Sequence, residues 1–205
     1  MNKIHLDEKI FYVTDVLSEE SAAKLYEYAC DPEGWGSEGA VDLWENNLKV
    51  IKGEELEKIV EELFYATVRA FDNPKKKINK SFVIGRYTTE KSNNPNSYDE
   101  DGTEWSMSLH WDGSTGKSED GIIFYLNDNF DGGEVVYPIK GFEWKPIKNS
   151  LLVHSADYDC MHGVRKITSG YRYILNSFTV LDKQRTQEEI DELLLKSIKE
   201  LDENR

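Results

Sequence analysis

Met107-Ser108-Leu109-His110-Trp111-Asp112 alternates apolar and polar side chains without a break. A period of two is the pattern of a half-buried strand, and it places the side chains of His110 and Asp112 on one face. The same grammar continues outward from this stretch. From residue 81 to residue 180 the chain is nearly all short strand-like segments parted by turn signals: 81–88, 107–112, 121–127, 133–138, 141–146, 150–155, 160–166 and 171–180. Eight short antiparallel strands at this spacing predict a double-stranded β-helix (jelly roll) whose two sheets close over a cavity. The fold class expected is mainly β with flanking helices.

Residues 9–14 predict a short strand ahead of this core. Ser18 then has the character of a helix N-cap, with Glu19 and Glu20 in the first turn. Ala22, Leu25, Tyr26 and Ala29 share one face of that helix, which Pro32 ends. A Gly-rich loop with Trp35, Trp44 and Asn46-Asn47 follows, its aromatics expected to pack over the domain's edge. A second helix over 54–71 carries a core-facing stripe of Leu56, Ile59, Val60, Leu63, Phe64 and Val68, and Asn73-Pro74 stops it. The segment 1–80 is thus expected to support the jelly roll with helices packed outside it. Between the first two core strands, 89–104 is rich in Asn, Ser, Asp and Gly; a loop that long is a lid or is disordered. Thr186 and Glu189 form a capping-box pattern before Ile190, Leu193, Leu194, Ile198 and Leu201. They predict a C-terminal helix over 186–203, docked on the domain rather than reserved for a dimer contact. The whole chain, 1–205, reads as a single domain, long enough to bury a core without staples.

Acids outnumber bases 39 to 25, for a net charge of -14, and no basic stripe interrupts them. Nucleic-acid binders neutralise phosphate with clustered Lys and Arg, so a nucleic-acid partner is disfavoured, as is an anionic membrane surface. Two distant cysteines, Cys30 and Cys160, make no disulfide framework and suit a reducing compartment. The first residues lack the apolar run of a signal peptide, and nothing reaches the length of a membrane span. A soluble, cytoplasmic protein is the expectation. No oligomeric state follows from the sequence.

The chemistry is concentrated in four residues. His110 and Asp112 project together from the second segment, and His162 sits in the seventh, which in a jelly roll can lie beside the second. Two imidazoles and one carboxylate would then cap one face of a metal and leave positions open, the facial triad of non-haem Fe(II) oxygenases. A structural zinc site would instead be closed by four ligands, and no Cys-rich set is present. Arg172 opens the last strand, ten residues after His162. A dicarboxylate co-substrate that chelates iron at one end needs a cation at the other, and Arg grips a carboxylate with two parallel hydrogen bonds. The remaining histidines, His5 and His154, have no such context and read as structural.

On these motifs the span from about 82 to 178 resembles the prolyl 4-hydroxylase family of 2-oxoglutarate- and Fe(II)-dependent dioxygenases. Gly85-Arg86-Tyr87 is similar to the family's tyrosine-bearing strand. His110-Trp111-Asp112 matches its His-x-Asp ligands, and Phe124-Tyr125-Leu126-Asn127 its Tyr-Leu-Asn segment. Gly132-Gly133-Glu134 with Tyr137-Pro138, His162-Gly163-Val164 and Gly170-Tyr171-Arg172-Tyr173 complete the pattern. The resemblance implies that His110, Asp112 and His162 bind Fe(II) and that Arg172 binds the C5 carboxylate of 2-oxoglutarate. It implies that Tyr125 and Tyr87 line the co-substrate pocket and that Val164 and Phe178 lie near the substrate. It implies hydroxylation of a prolyl or other residue of a peptide or protein, with succinate and carbon dioxide as co-products and ascorbate as a rescuer of oxidised iron. The collagen-type branch commonly carries Lys at the Arg172 position, which leaves the co-substrate reading intact and weakens any claim of collagen-type specificity. The alternatives are a hydroxylase of a free amino acid or other small molecule, a non-catalytic metal-binding jelly roll, and, more distantly, a metal-assisted hydrolase, in which Arg172 would lack a task.

Overall fold

A computed structural model describes residues 1–36, 47–73, 75–89 and 104–203. In chain order the elements are β1 (Asn2–Asp7), β2 (Ile10–Thr14), α1 (Glu19–Cys30), β3 (Leu48–Lys49), α2 (Glu54–Ala70), β4 (Val83–Tyr87), β5 (Trp105–His110), β6 (Ser118–Tyr125), β7 (Asp131–Gly132), β8 (Val135–Tyr137), β9 (Phe142–Trp144), β10 (Ser150–Ser155), β11 (His162–Arg165), β12 (Ile167–Ser169), β13 (Arg172–Val180) and α3 (Gln187–Glu203). The larger sheet runs β1-β2-β10-β6-β13-β4-β3, the smaller runs β5-β11-β8-β9, and β12 pairs with β7 in a short ribbon. The eight segments expected from the sequence divide evenly: β4, β6, β10 and β13 lie in the larger sheet, β5, β8, β9 and β11 in the smaller. Facing antiparallel sheets of this order are the jelly-roll arrangement.

The centre of the larger sheet is buried on both faces, which is why β6 ends Gly-Ile-Ile-Phe-Tyr rather than alternating with polar residues. Ile122 and Phe124 point outward into a cluster with Leu151, Val153 and Leu175 of the neighbouring strands and Leu25, Ile59 and Leu63 of α1 and α2. Tyr125 points inward, with Leu152 and Ile174, toward Val135 and Tyr137 of the smaller sheet. The two N-terminal helices therefore cover the outer face, as their apolar stripes require. Ser18 caps α1, its side chain accepting from the Ser21 amide at 3.1 Å.

The N-terminal segment is not only helical support. β1 and β2 extend the larger sheet at one edge and β3 extends it at the other. β1 escaped the sequence because it is an edge strand of mostly polar, exposed residues. The C-terminal helix forms, and its capping box is reciprocal: the Glu189 amide donates to Thr186 Oγ1 at 3.3 Å and the Thr186 amide to Glu189 Oε2 at 2.7 Å. Ile190 is its buried residue, Leu193, Leu194 and Leu201 are half-buried, and Leu195 is 68% exposed. Trp35 packs as expected of an edge aromatic, with the Arg86 guanidinium 4.4 Å over its ring. Trp44, Asn46 and most of the loop 89–104 lie outside the described residues.

Candidate metal and co-substrate site

The hydrogen-bonded part of β5 ends at His110, two residues earlier than the alternation suggests. Trp111 is still extended (φ -130°, ψ 134°), so the period of two survives to Asp112, which begins a single 3-10 turn. His110 and Asp112 consequently face each other, Nε2 to Oδ1 at 3.7 Å. β11 pairs antiparallel with β5, and the register sets His162 directly opposite His110. Ligating atoms of His110, Asp112 and His162 all lie within 4.8 Å of one another, the spacing of a set able to hold one ion.

Both imidazoles are oriented for this. His110 Nδ1 lies 2.8 Å from the Ser108 carbonyl and His162 Nδ1 lies 3.1 Å from the Cys160 carbonyl. A carbonyl only accepts, so Nδ1 carries the proton in each ring and the Nε2 lone pair is left for a metal. Burial holds the His162 imidazole well below its ordinary pKa, and the charges of His154 and His110 add to that effect. Burial alone would raise the Asp112 carboxyl, but the hydrogen bond and charge of His154 outweigh it, with help from His162 and His110, and hold it well below the usual range. The set thus presents an Nε2 lone pair on each imidazole, His162 held neutral, and an ionised carboxylate, as ligation needs.

A cavity of about 320 Å³ opens beside the three ligands. Tyr87, Tyr125, Val164, Arg172 and Phe178 line it together with His110, Asp112 and His162, so all eight residues singled out from the sequence face one space. Arg172, 2% exposed, opens β13 six residues from Phe178, whose partner Gly121 lies beside Asp112. Its Nη2 donates to the Tyr125 hydroxyl at 3.0 Å, and its guanidinium lies 4.6 Å from the Tyr87 ring centroid and 5.0 Å from that of Tyr125. Burial raises both tyrosines, the arginine charge pulling the other way, so both hydroxyls keep their protons. Among the described residues, Nε and Nη1 of Arg172 are buried without a hydrogen-bond partner. A buried cation with open donors on a cavity wall is complementary to an anion inside that cavity. The donor set and the arginine therefore fit a metal and a chelating dicarboxylate at opposite ends of one space.

Sequence reasoning passed over three residues at this site. His154, read as structural, is fully buried, yet its Nε2 touches Asp112 Oδ2 at 3.0 Å. Tyr137, noted only as part of a motif, holds the other nitrogen of His154 through its hydroxyl at 2.7 Å. Gly121 lies under His154 and Asp112, and a Cβ there would stand 2.3 Å from Asp112 Oδ2 and from His154 Nε2. Only the glycine carried a signal, since a glycine inside a strand marks a close approach.

No protein-family model matches the sequence, and no curated protein matches it. Solved structures do. A viral collagen prolyl hydroxylase from Paramecium Bursaria Chlorella virus-1, in its 2-oxoglutarate complex, superposes with a TM-score of 0.60 at 15% identity over 86% of this chain and 97% of that one. A prolyl hydroxylase from Trichoplax adhaerens, in complex with a hypoxia inducible factor peptide fragment, gives 0.58 at 16% identity over 86% of each chain. An oxidoreductase of the 2OG-Fe(II) oxygenase family from Burkholderia pseudomallei gives 0.55 at 15% identity over 84% of each. The chain has the jelly-roll fold of the prolyl 4-hydroxylase-like 2-oxoglutarate/Fe(II) oxygenases.

Proposed function

We propose that this protein is a 2-oxoglutarate- and Fe(II)-dependent dioxygenase that hydroxylates a prolyl or other residue of a peptide or protein, releasing succinate and carbon dioxide. The observation that carries the reading is the pairing, in one cavity, of an open His110-Asp112-His162 set with the partly unsatisfied, buried Arg172. Bound iron would supply the activation of dioxygen by the co-substrate; the remaining work belongs to the chain. His110, Asp112 and His162 would hold the metal by one face and leave its other positions to co-substrate and oxygen. Arg172, with the Tyr125 hydroxyl beside it, would fix the far carboxylate of 2-oxoglutarate, and Tyr87 would close the pocket over the guanidinium. The apolar walls, Val164 and Phe178 among them, exclude water from the reacting end and face the substrate. A polypeptide substrate is supported by two structural neighbours, a collagen prolyl hydroxylase and a prolyl hydroxylase holding a peptide. Ascorbate would serve to restore iron oxidised in turnovers without substrate.

The test is product mass spectrometry on a panel of proline-containing peptides and free amino acids, supplied with Fe(II), 2-oxoglutarate and ascorbate. One added oxygen on a peptide, with matching succinate and loss of both in His110→Ala, is the expected result. Oxidation confined to a free amino acid would move the substrate class to small molecules. Neither product nor succinate from any member would count against the dioxygenase reading.

A further inference from the structure

His154 stands outside the ligand set and touches it. Its Nε2 lies 3.0 Å from Asp112 Oδ2, and its Nδ1 lies 2.7 Å from the Tyr137 hydroxyl. Both nitrogens are thereby occupied, and the ring, 0% exposed, lies with its centroid 4.1 Å from that of His162. The two oxygens of Asp112 are consequently unequal. Oδ1 turns toward His110, whereas Oδ2 is turned away into the His154 contact. The strand register builds this arrangement: β10 pairs with β6 so that His154 lies opposite Gly121. Any side chain at Gly121 would intrude on the contact, its Cβ falling 2.3 Å from each of the two atoms that meet there.

We infer that His154, seated over Gly121 and braced by Tyr137, is a positioning residue that ties down Asp112 Oδ2, so that the carboxylate meets the metal through Oδ1 alone. The inference rests on the metal reading above. A carboxylate with both oxygens free can chelate. Here that would consume a position needed by a chelating 2-oxo acid or by oxygen. A hydrogen-bond donor on Oδ2 removes that option and fixes the carboxylate's rotation before the ion arrives. Partners of this kind, one shell beyond the ligands, typically carry 10- to 100-fold of metal affinity.

The experiment is titration of the full-length chain with Mn(II) and with Co(II), followed by calorimetry and, for Co(II), by the visible spectrum. His154→Leu fills the space without a donor; it is expected to weaken binding by about 10- to 100-fold and to change the Co(II) spectrum. His154→Gln places an amide N–H near the Nε2 position and is expected to recover affinity to within about threefold of wild type, well inside the range such a partner commands. His154→Leu with wild-type affinity and spectrum overturns the inference, and so does a folded His154→Gln no better than His154→Leu. Should His154→Leu fail to fold, Gly121→Ala and Tyr137→Phe carry the test. The first obstructs the contact and the second loosens its brace; wild-type affinity and spectrum in both would overturn the inference. A wild-type chain that binds neither ion overturns instead the metal reading on which this one stands.

Discussion

Arg172 donates to Tyr125, and its two other buried nitrogens have no partner among the described residues. Its truncation should therefore be felt by the co-substrate first. Arg172→Ala is expected to raise the KM for 2-oxoglutarate on the order of 100-fold, since removing one partner of a buried charged pair costs about 3 kcal/mol. Arg172→Lys keeps the charge without the planar fork and should fall between the two. Steady-state kinetics at saturating iron decides this, and an unchanged KM would take the arginine out of the site. The ligands and the arginine were legible because each is a residue type at a spacing: His-x-Asp on a strand, a histidine in the pairing strand, an arginine opening the last one. His154 was not. One histidine in an apolar strand says nothing about its neighbour, and only the register on Gly121 brings it to Asp112.

At the scale of elements, the turn Tyr158–Cys160 leads directly into β11 and so into His162. Ion pairs pin it: Lys9 reaches Asp157 and Asp159 at 3.1 Å each, and Lys140 reaches Asp159 at 2.9 Å and Asp7 at 3.1 Å. Burial would raise the Asp159 carboxyl, but its hydrogen bonds to Lys140 and Lys9 prevail and hold it below the ordinary 3.8. A carboxyl depressed in this way stabilises the fold above its unfolded pKa, and that contribution is lost as pH falls below about 4 and through the folded value. Asp159→Asn is thus expected to lower Tm by roughly 2–4 °C near pH 7, the equivalent of about 1 kcal/mol for a partly screened pair. The gap to wild type should narrow in melts at about pH 3; a gap that widens would contradict the assignment. Helix α3 is held differently, by its capping box and by Ile190. Thr186→Ala should cost about 1 kcal/mol of local stability, read as faster amide exchange in α3 with β6 unaffected. The two amphipathic helices were legible from their periodicity, and the eight core strands from short alternating or apolar runs between turn signals. β1, β3, β7 and β12 were not: β1 alternates only over Lys3–Asp7, and strands of two or three residues are too short to show a period.

The whole molecule separates support from chemistry. One apolar cluster joins α1 and α2 to the outer face of the larger sheet, and another fills the space between the sheets beside the cavity. Leu63 belongs to the first and is fully buried. Leu63→Ala should therefore destabilise by about 2–5 kcal/mol in denaturant unfolding while the folded fraction keeps its metal affinity. A loss of affinity beyond the unfolded fraction would show that the outer cluster shapes the site. Among the described residues no helix is long and apolar enough to cross a membrane. The fold class could be read from the sequence because eight short strand-like segments follow one another, parted by turn signals. The closing of the cavity could not, since it depends on which strands become neighbours. One cavity would hold Fe(II) and 2-oxoglutarate together, and anaerobic titration of 2-oxoglutarate into the Fe(II)-loaded chain tests this most directly. A weak visible charge-transfer band that saturates at one equivalent, and is lost in His110→Ala and in Arg172→Ala at the same concentration, is the predicted result. Absence of any band at saturating iron and 2-oxoglutarate would contradict it.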